Sequence, residues 1–275
     1  MTWPTIARKE FADAVRARIL WGIVAVIAVM TSLSAGIGVL VPSADTDPTT
    51  AIGGAAQFAG LLVPILALIA AYLAIAGERE SGSLKILLGL PPSRGEVLVG
   101  KFLGRSAVVA LGLTLGFAVS GVVTVAIYGG LPMTPFLGAL AATIGLGITY
   151  VGIAIGISAV AATRARAMTV AITAYLVLAV LWDLVPNAVH VLVTGEMPGG
   201  VVPAWFLLVQ GLSPTGAYNA VVQAILLGDQ GAIAARIGGT VPSYLSPAVF
   251  LAILTAWLVA PLVIGYLRFR ATDLG

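Results

Sequence analysis

Residues 53–77 read GGAAQFAGLLVPILALIAAYLAIAG, and residues 78–101, which follow directly, read ERESGSLKILLGLPPSRGEVLVGK. The first stretch carries no charge over a length that covers, as a helix, the roughly 30 Å hydrocarbon core of a bilayer. It must be helical there, because lipid offers no partner to an unpaired backbone group. The second stretch is densely charged and can only lie outside the core. That single alternation defines an integral membrane chain.

The pattern recurs outward from it. Apolar stretches at 19–41, 106–128, 136–162, 168–192 and 248–267 join 53–77 to predict six membrane spans. Overall composition agrees: 60% of the 275 residues are hydrophobic and 9% charged, against about 25% charged in a soluble domain. The chain has no cysteine, which removes disulfides and thiolate chemistry, and one histidine, so neither a catalytic nor a metal site is expected. A net charge of +3 is too small and too scattered for nucleic acid. The first 18 residues carry both signs of charge with no cleavage site, so the first apolar stretch is read as a retained span.

With both termini in the cytoplasm, thirteen of the fourteen basic residues fall in inner segments and only Arg236 outside, a strong positive-inside bias. Residues 201–228 are apolar but broken by Gln210, Gly211, Ser213, Pro214, Asn219 and Gln223. They are read as short interfacial or re-entrant helices within an outer loop, 193–246; a seventh span would leave twelve basic residues inside, too small a difference to decide. Ahead of the first span, Trp3, Ile6, Phe11, Ala14 and Val15 share a helical face, which predicts a helix on the inner membrane surface over residues 1–18, a solvated tail being the alternative.

The inner segment 78–105 is the informative one. After its charged cluster comes a short apolar helix over 83–90, a Pro-Pro stop, and a second amphipathic stretch toward Arg105. Leu84, Leu87 and Leu88 form an i, i+3, i+4 ridge suited to a groove on a partner, or to the lipid surface. Gly95 to Phe102 nearly matches the phosphate-binding pattern G-x-x-x-x-G-K-[ST], but phenylalanine cannot ligate magnesium and no strand precedes the glycines, so ATP binding is not expected here.

The pattern Glu78-x-Glu80-x-Gly82-Ser83-Leu84, then Leu87-Leu88, then Pro91-x-Ser93-Arg94 and Gly100-Lys101, resembles the first cytoplasmic loop of type-2 ABC transporter permeases, with Pro92 standing where that family often has Val or another aliphatic residue. Arg8-Lys9-Glu10-Phe11 is similar to that family's N-terminal interfacial helix, and residues 212–219, LSPTGAYN, resemble the stretch before its last span, most closely in the Nos-type branch. The resemblance follows the spans in order across nearly the whole chain. It implies a single permease domain over 1–275 in the plasma membrane, working as a dimer with a second permease copy and exporting a cargo. It also implies a coupling helix seated on a separate ABC ATPase subunit, which would bind the ATP and magnesium; the permease itself has no cofactor. Carried over by residue, Glu78, Glu80, Gly82, Leu84, Leu88, Pro91, Ser93 and Arg94 form or support that contact.

Asp183 lies fifteen residues into the fifth span, about 22 Å along the helix. An intramembrane carboxylate is a functional candidate. With Trp182, Asn187 and His190 it is expected either to line an outward cavity on the substrate pathway or to reach outer water. Gly112 and Gly116, and Gly152 and Gly156, are spaced for close helix packing. An intramembrane protease is disfavoured: Ser158 and His190 fall at opposite membrane faces, and Asp183 has no second acid within the spans. A stand-alone secondary transporter would carry more intramembrane charge or broken helices.

Overall fold

The computed structural model of the chain describes residues 2–40, 47–83, 92–228 and 231–271. It is all-helical, with no strand among the described residues. Among the described residues five helices are long and apolar enough to cross a membrane, and a bent pair makes a sixth crossing if its two halves form one span.

Helix α1 (Trp3–Arg16) leads through a tight elbow into α2 (Ile19–Leu40). Helix α3 (Pro48–Ala71) is followed by a turn and the short α4 (Ala76–Glu80). Helix α5 (Arg94–Tyr128) starts at a capping box, in which the Ser93 side chain accepts from the Glu96 N–H while the Glu96 carboxylate accepts from the Ser93 N–H. It begins twelve residues before the expected third span and runs for about 52 Å, so its first three turns project beyond the hydrocarbon core. The stretch 95–102 that mimics a phosphate loop is the start of this helix: the Glu96 N–H is taken by the Ser93 side chain and, from Val97 on, the N–H groups enter helix bonds.

Helix α6 (Met133–Val160) lies at the centre of the bundle, packed against α3, α5 and the last helix, α12 (Pro247–Ala271). Glycines set those approaches. A Cβ at Gly112 would sit 2.8 Å from the Ile23 side chain, and one at Gly116 2.8 Å from Ile27, so α5 meets α2 almost at the backbone. Gly152, Gly156 and Gly265 do the same where α6 meets α12.

The fifth span departs from the expected continuous helix over 168–192. It consists of α7 (Arg164–Tyr175), a widened turn over Leu176–Val180, a break, and α8 (Leu184–Thr194), bent by 49°. Pro186 supplies the cause: it has no N–H to donate back to Trp182, and its ring crowds that carbonyl. The wide turn absorbs the mismatch.

Between α8 and α12 come α9 (Ala204–Gln210), α10 (Pro214–Leu227) and α11 (Gly231–Ile237). Helix α10 is about 21 Å long, too short to span, yet it is inserted among α3, α6 and α12 rather than lying on the surface. Tyr218 is fully buried and anchors it: its hydroxyl donates to the Ala56 carbonyl (2.8 Å) and pairs with Thr143 Oγ1 (3.0 Å). Tyr150 Oη pairs with Thr215 Oγ1 at 3.1 Å. In an apolar bundle such hydroxyls must be paired, and these pairs fix the insertion depth.

Candidate coupling site at the charged end of the bundle

Three charged side chains of one short helix, and three more from the same stretch of sequence, gather several helix ends around one segment. Helix α3 stops at Ala71, and the N–H groups of Ile75 and Ala76, freed by the turn, both donate to Ser158 Oγ of α6, at 2.9 and 3.0 Å. This occupies Ser158, which is fully buried, with a structural task and leaves it no role as a nucleophile.

Helix α4 then presents Glu78, Arg79 and Glu80 in three directions. Arg79 donates to the Ala161 and Ala159 carbonyls at 2.7 and 2.9 Å and so closes the C-terminus of α6. The Glu80 carboxylate accepts from the Arg164 N–H at 2.6 Å and closes the N-terminus of α7. Across the loop, Arg94 donates to the Phe269 and Arg270 carbonyls at 2.6 and 2.9 Å, at the C-terminus of α12. Each charge stands at the helix end whose dipole favours it. The buried Phe269 ring lies under both guanidinium groups, 5.8 Å from Arg79 and 5.6 Å from Arg94.

Glu78 completes the cluster. Its Oε1 is 2.8 Å from Lys101 Nζ, which also reaches Glu10 Oε1 at 2.5 Å; Arg105 binds Glu10 Oε2 at 2.8 Å and the Ala70 carbonyl at 3.0 Å. Lys101 is 1% exposed and Glu10 4%. Burial pushes the Glu10 carboxyl up, but Lys101 and Arg105 together hold it below the ordinary carboxylate range. The network joins α1, the end of α3 and α5. Glycines again permit the approach: a Cβ at Gly100 would lie 2.7 Å from Ile6, and one at Gly104 2.6 Å from Glu10.

Of the residues expected to form the site, Glu78, Glu80, Ser93 and Arg94 meet at this end, and Gly82 takes a left-handed turn (φ +76°) that glycine adopts without strain. Leu84, Leu88 and Pro91 lie outside the described residues. Glu10, Arg79, Lys101 and Arg105 had been read only as motif letters or topology signals. Glu10 did carry a signal: it stands between Ile6 and Ala14 at four-residue spacing, on the buried face of α1, where an acid needs a partner. That face, rather than one turned to lipid, is what the N-terminal pattern encodes; Trp3 is exposed.

At the opposite end, Asp183 sits at the break in the fifth span and accepts from Gln210 Nε2 at 3.3 Å. It lines a cavity of about 630 Å³ together with Gln57, Asn219, Gln223 and Arg236. Asn187 and His190, expected beside it, are not among the cavity walls. His190 is buried against Trp205 and Phe206 instead, because the 49° bend turns α8 under α9. In the sequence Gln210, Asn219 and Gln223 read only as interruptions of 201–228; that they converge with Gln57 on one cavity is not legible there, because the four are scattered over α3, α9 and α10.

A membrane bundle with a broken span and a polar cavity at the break is an arrangement that transporters use. The family model described as "ABC-2 family transporter protein" matches residues 4–274, and the chain belongs to that family. It is 32% identical over 280 residues to a protein of Pseudomonas aeruginosa named probable ABC transporter permease protein NosY, with 97% of each chain covered. A protein of the same name from Stutzerimonas stutzeri is 31% identical over 276 residues, with 96% of each covered. The chain is thus a multi-pass membrane subunit of an ABC transporter.

Proposed function

We propose that this permease couples to a separate ABC ATPase subunit through the segment 78–105 and exports its cargo as a dimer of permease chains, with ATP and magnesium bound only by the partner. In this reading the charged end faces the cytoplasm, both termini lie there, and the bundle sits in the plasma membrane. The observation that carries it is the clasp: one short loop is tied by Glu78 to α5, Arg79 to α6, Glu80 to α7 and Arg94 to α12. A push on the loop therefore reaches four helices at once, which is what rigid-body transmission of ATPase closure requires. The Asp183 cavity at the far end is assigned to the cargo route, since broken spans with polar walls are where transporters place such sites. Asp183 is the one of the three expected pathway residues that lines it; Asn187 and His190 stand on α8 outside its walls. The broken span also fits a stand-alone ion-coupled carrier, and the experiment below separates the two.

Replacing Leu84 and Leu88 by Asp is expected to abolish capture of the partner ABC ATPase subunit while membrane insertion persists. Capture at the parental level would sink the docking assignment. Purified permease alone should show no ATP hydrolysis, and hydrolysis should appear when that ATPase is added; full transport with no ATPase present would favour the carrier.

Because the native chain has no cysteine, sidedness is directly testable. A single cysteine at Ser93 should react with an impermeant maleimide only from the cytoplasm, and one at Thr240 only from outside. The reverse pattern would invert the assigned topology.

A further inference from the structure

Arg18 adopts a left-handed backbone conformation, φ +62°, the one such non-glycine among the described residues. For a long side chain this is a strained state that glycine would occupy freely. The elbow it forms is tight: Ala17 N–H donates to Asp13 O at 2.9 Å, Arg18 N–H to Val15 O at 3.2 Å, and Gly22 N–H to Arg18 O at 3.0 Å. Local backbone preference therefore argues for glycine at this position, and arginine stands there against it.

What surrounds Arg18 gives the arginine a task. Trp21, three residues on, is 59% exposed, and Ala25, Val29, Leu33 and Ile37 continue the same face of α2 as an exposed apolar stripe, the path an acyl chain would follow. Arg16 and Arg18 stand exposed above the upper end of that stripe, and Trp21 lies where tryptophan marks the water boundary of a bilayer. Charge on α1 adds to this. Its sequence holds two acids against Arg8, Lys9 and Arg16, but the fold withdraws Glu10 into the buried pairs with Lys101 and Arg105. The exposed charges of α1 and its elbow are then Arg8, Lys9, Arg16 and Arg18 against Asp13 alone.

We infer that the α1–α2 elbow is a binding site for the headgroup of an anionic phospholipid, with Arg18 and Arg16 at the phosphate and Trp21 at the glycerol level over the apolar stripe. Charge complementarity and continuity with the lipid-facing surface of α2 favour a lipid over an acidic protein. The inference rests on the membrane fold and not on the coupling reading.

The test reconstitutes the full chain in phosphatidylcholine bilayers containing a rising fraction of brominated phosphatidylglycerol or, in parallel, brominated phosphatidylcholine. Quenching of Trp21 is read as the component that a Trp21→Phe variant lacks. The anionic lipid should reach Trp21 about 25-fold more effectively, at about five-fold for each of the two arginines near an anionic surface. Arg18→Gly should cut that ratio by about five-fold, while Arg18→Lys keeps it. Since glycine relieves the strain, Arg18→Gly should melt no lower than the parent in pure phosphatidylcholine, so a loss of preference cannot be a folding defect. An unchanged ratio in Arg18→Gly would overturn the site. So would erasure of the preference by glycerol phosphate at millimolar concentration, which would mark a site for free phosphate. Loss of ATPase capture by Arg18→Gly in phosphatidylcholine would also overturn it, by marking a protein interface.

Discussion

Lys101→Met is expected to destabilise the bundle by about 3 kcal/mol, the lower part of the range for removing one partner of a buried ion pair. Lys101 Nζ sits between Glu10 and Glu78, and the methionine would leave both carboxylates without it. Glu10 would keep Arg105 at 2.8 Å, which holds the loss to the lower part of that range. Glu78 would lose its one ion pair among the described residues, and its Oε2 is already buried with no partner among them. The double variant Glu10→Gln, Lys101→Met should lose less than the sum of the single losses, because it removes charges of both signs. Denaturant titration in detergent, followed by tryptophan emission, measures all three. Equal stability of Lys101→Met and the parent would mean that the charges are not buried as described.

The same network sets an acid limit. The Glu10 carboxyl is pushed up by burial and held below the ordinary range by Lys101 and Arg105. A depressed folded pKa contributes stability that is fully present above the unfolded value, about 4.3, and lost as pH falls through the folded one. The parent should therefore lose stability below about pH 4 more steeply than Glu10→Gln does.

Gly156→Leu is expected to detach the last span, at a cost of about 3 kcal/mol, the upper end for overpacking. A Cβ at Gly156 would collide with the Pro261 carbonyl oxygen, and one at Gly265 would lie 2.8 Å from the Gly156 Cα. The two helices thus touch backbone to backbone and neither can yield by rotating a side chain. The seam matters because only 17% of the apolar stretch of α12 is buried; α10 and the Arg94 contacts at its end are among its other holds. Gly145 on the same helix has nothing within 4 Å of an added Cβ, so Gly145→Leu should stay within about 0.5 kcal/mol of the parent. Proteolysis of the C-terminal region, read with a tag after Gly275, distinguishes a released span from a retained one. A fully protected tag in Gly156→Leu would show that the helices are not in contact there.

The charged end was partly legible. Glu78, Glu80 and Arg94 stand out in any reading of 78–105, because charges beside an apolar span must have a task. Their partners did not, since the acceptors are carbonyls of Ala159, Ala161, Phe269 and Arg270, which every residue possesses and no side-chain pattern advertises. The break before Leu184 was not read from the sequence: a hydropathy average over 168–192 is blind to the one hydrogen bond that Pro186 removes.

What the sequence determined by itself is the number and place of the apolar segments and the end of the bundle on which the basic residues collect. Transfer from water to lipid is close to additive along a chain, so a local count of apolar and charged residues suffices. What only the tertiary structure decided is which buried groups meet: Lys101 with Glu10 across 91 positions, Tyr218 with Ala56 across 162, Arg94 with Phe269 across 175. A buried polar group needs some partner, and lipid supplies none. Which partner it finds depends on how closely glycines let two backbones approach, a property of pairs of helices and of neither one alone.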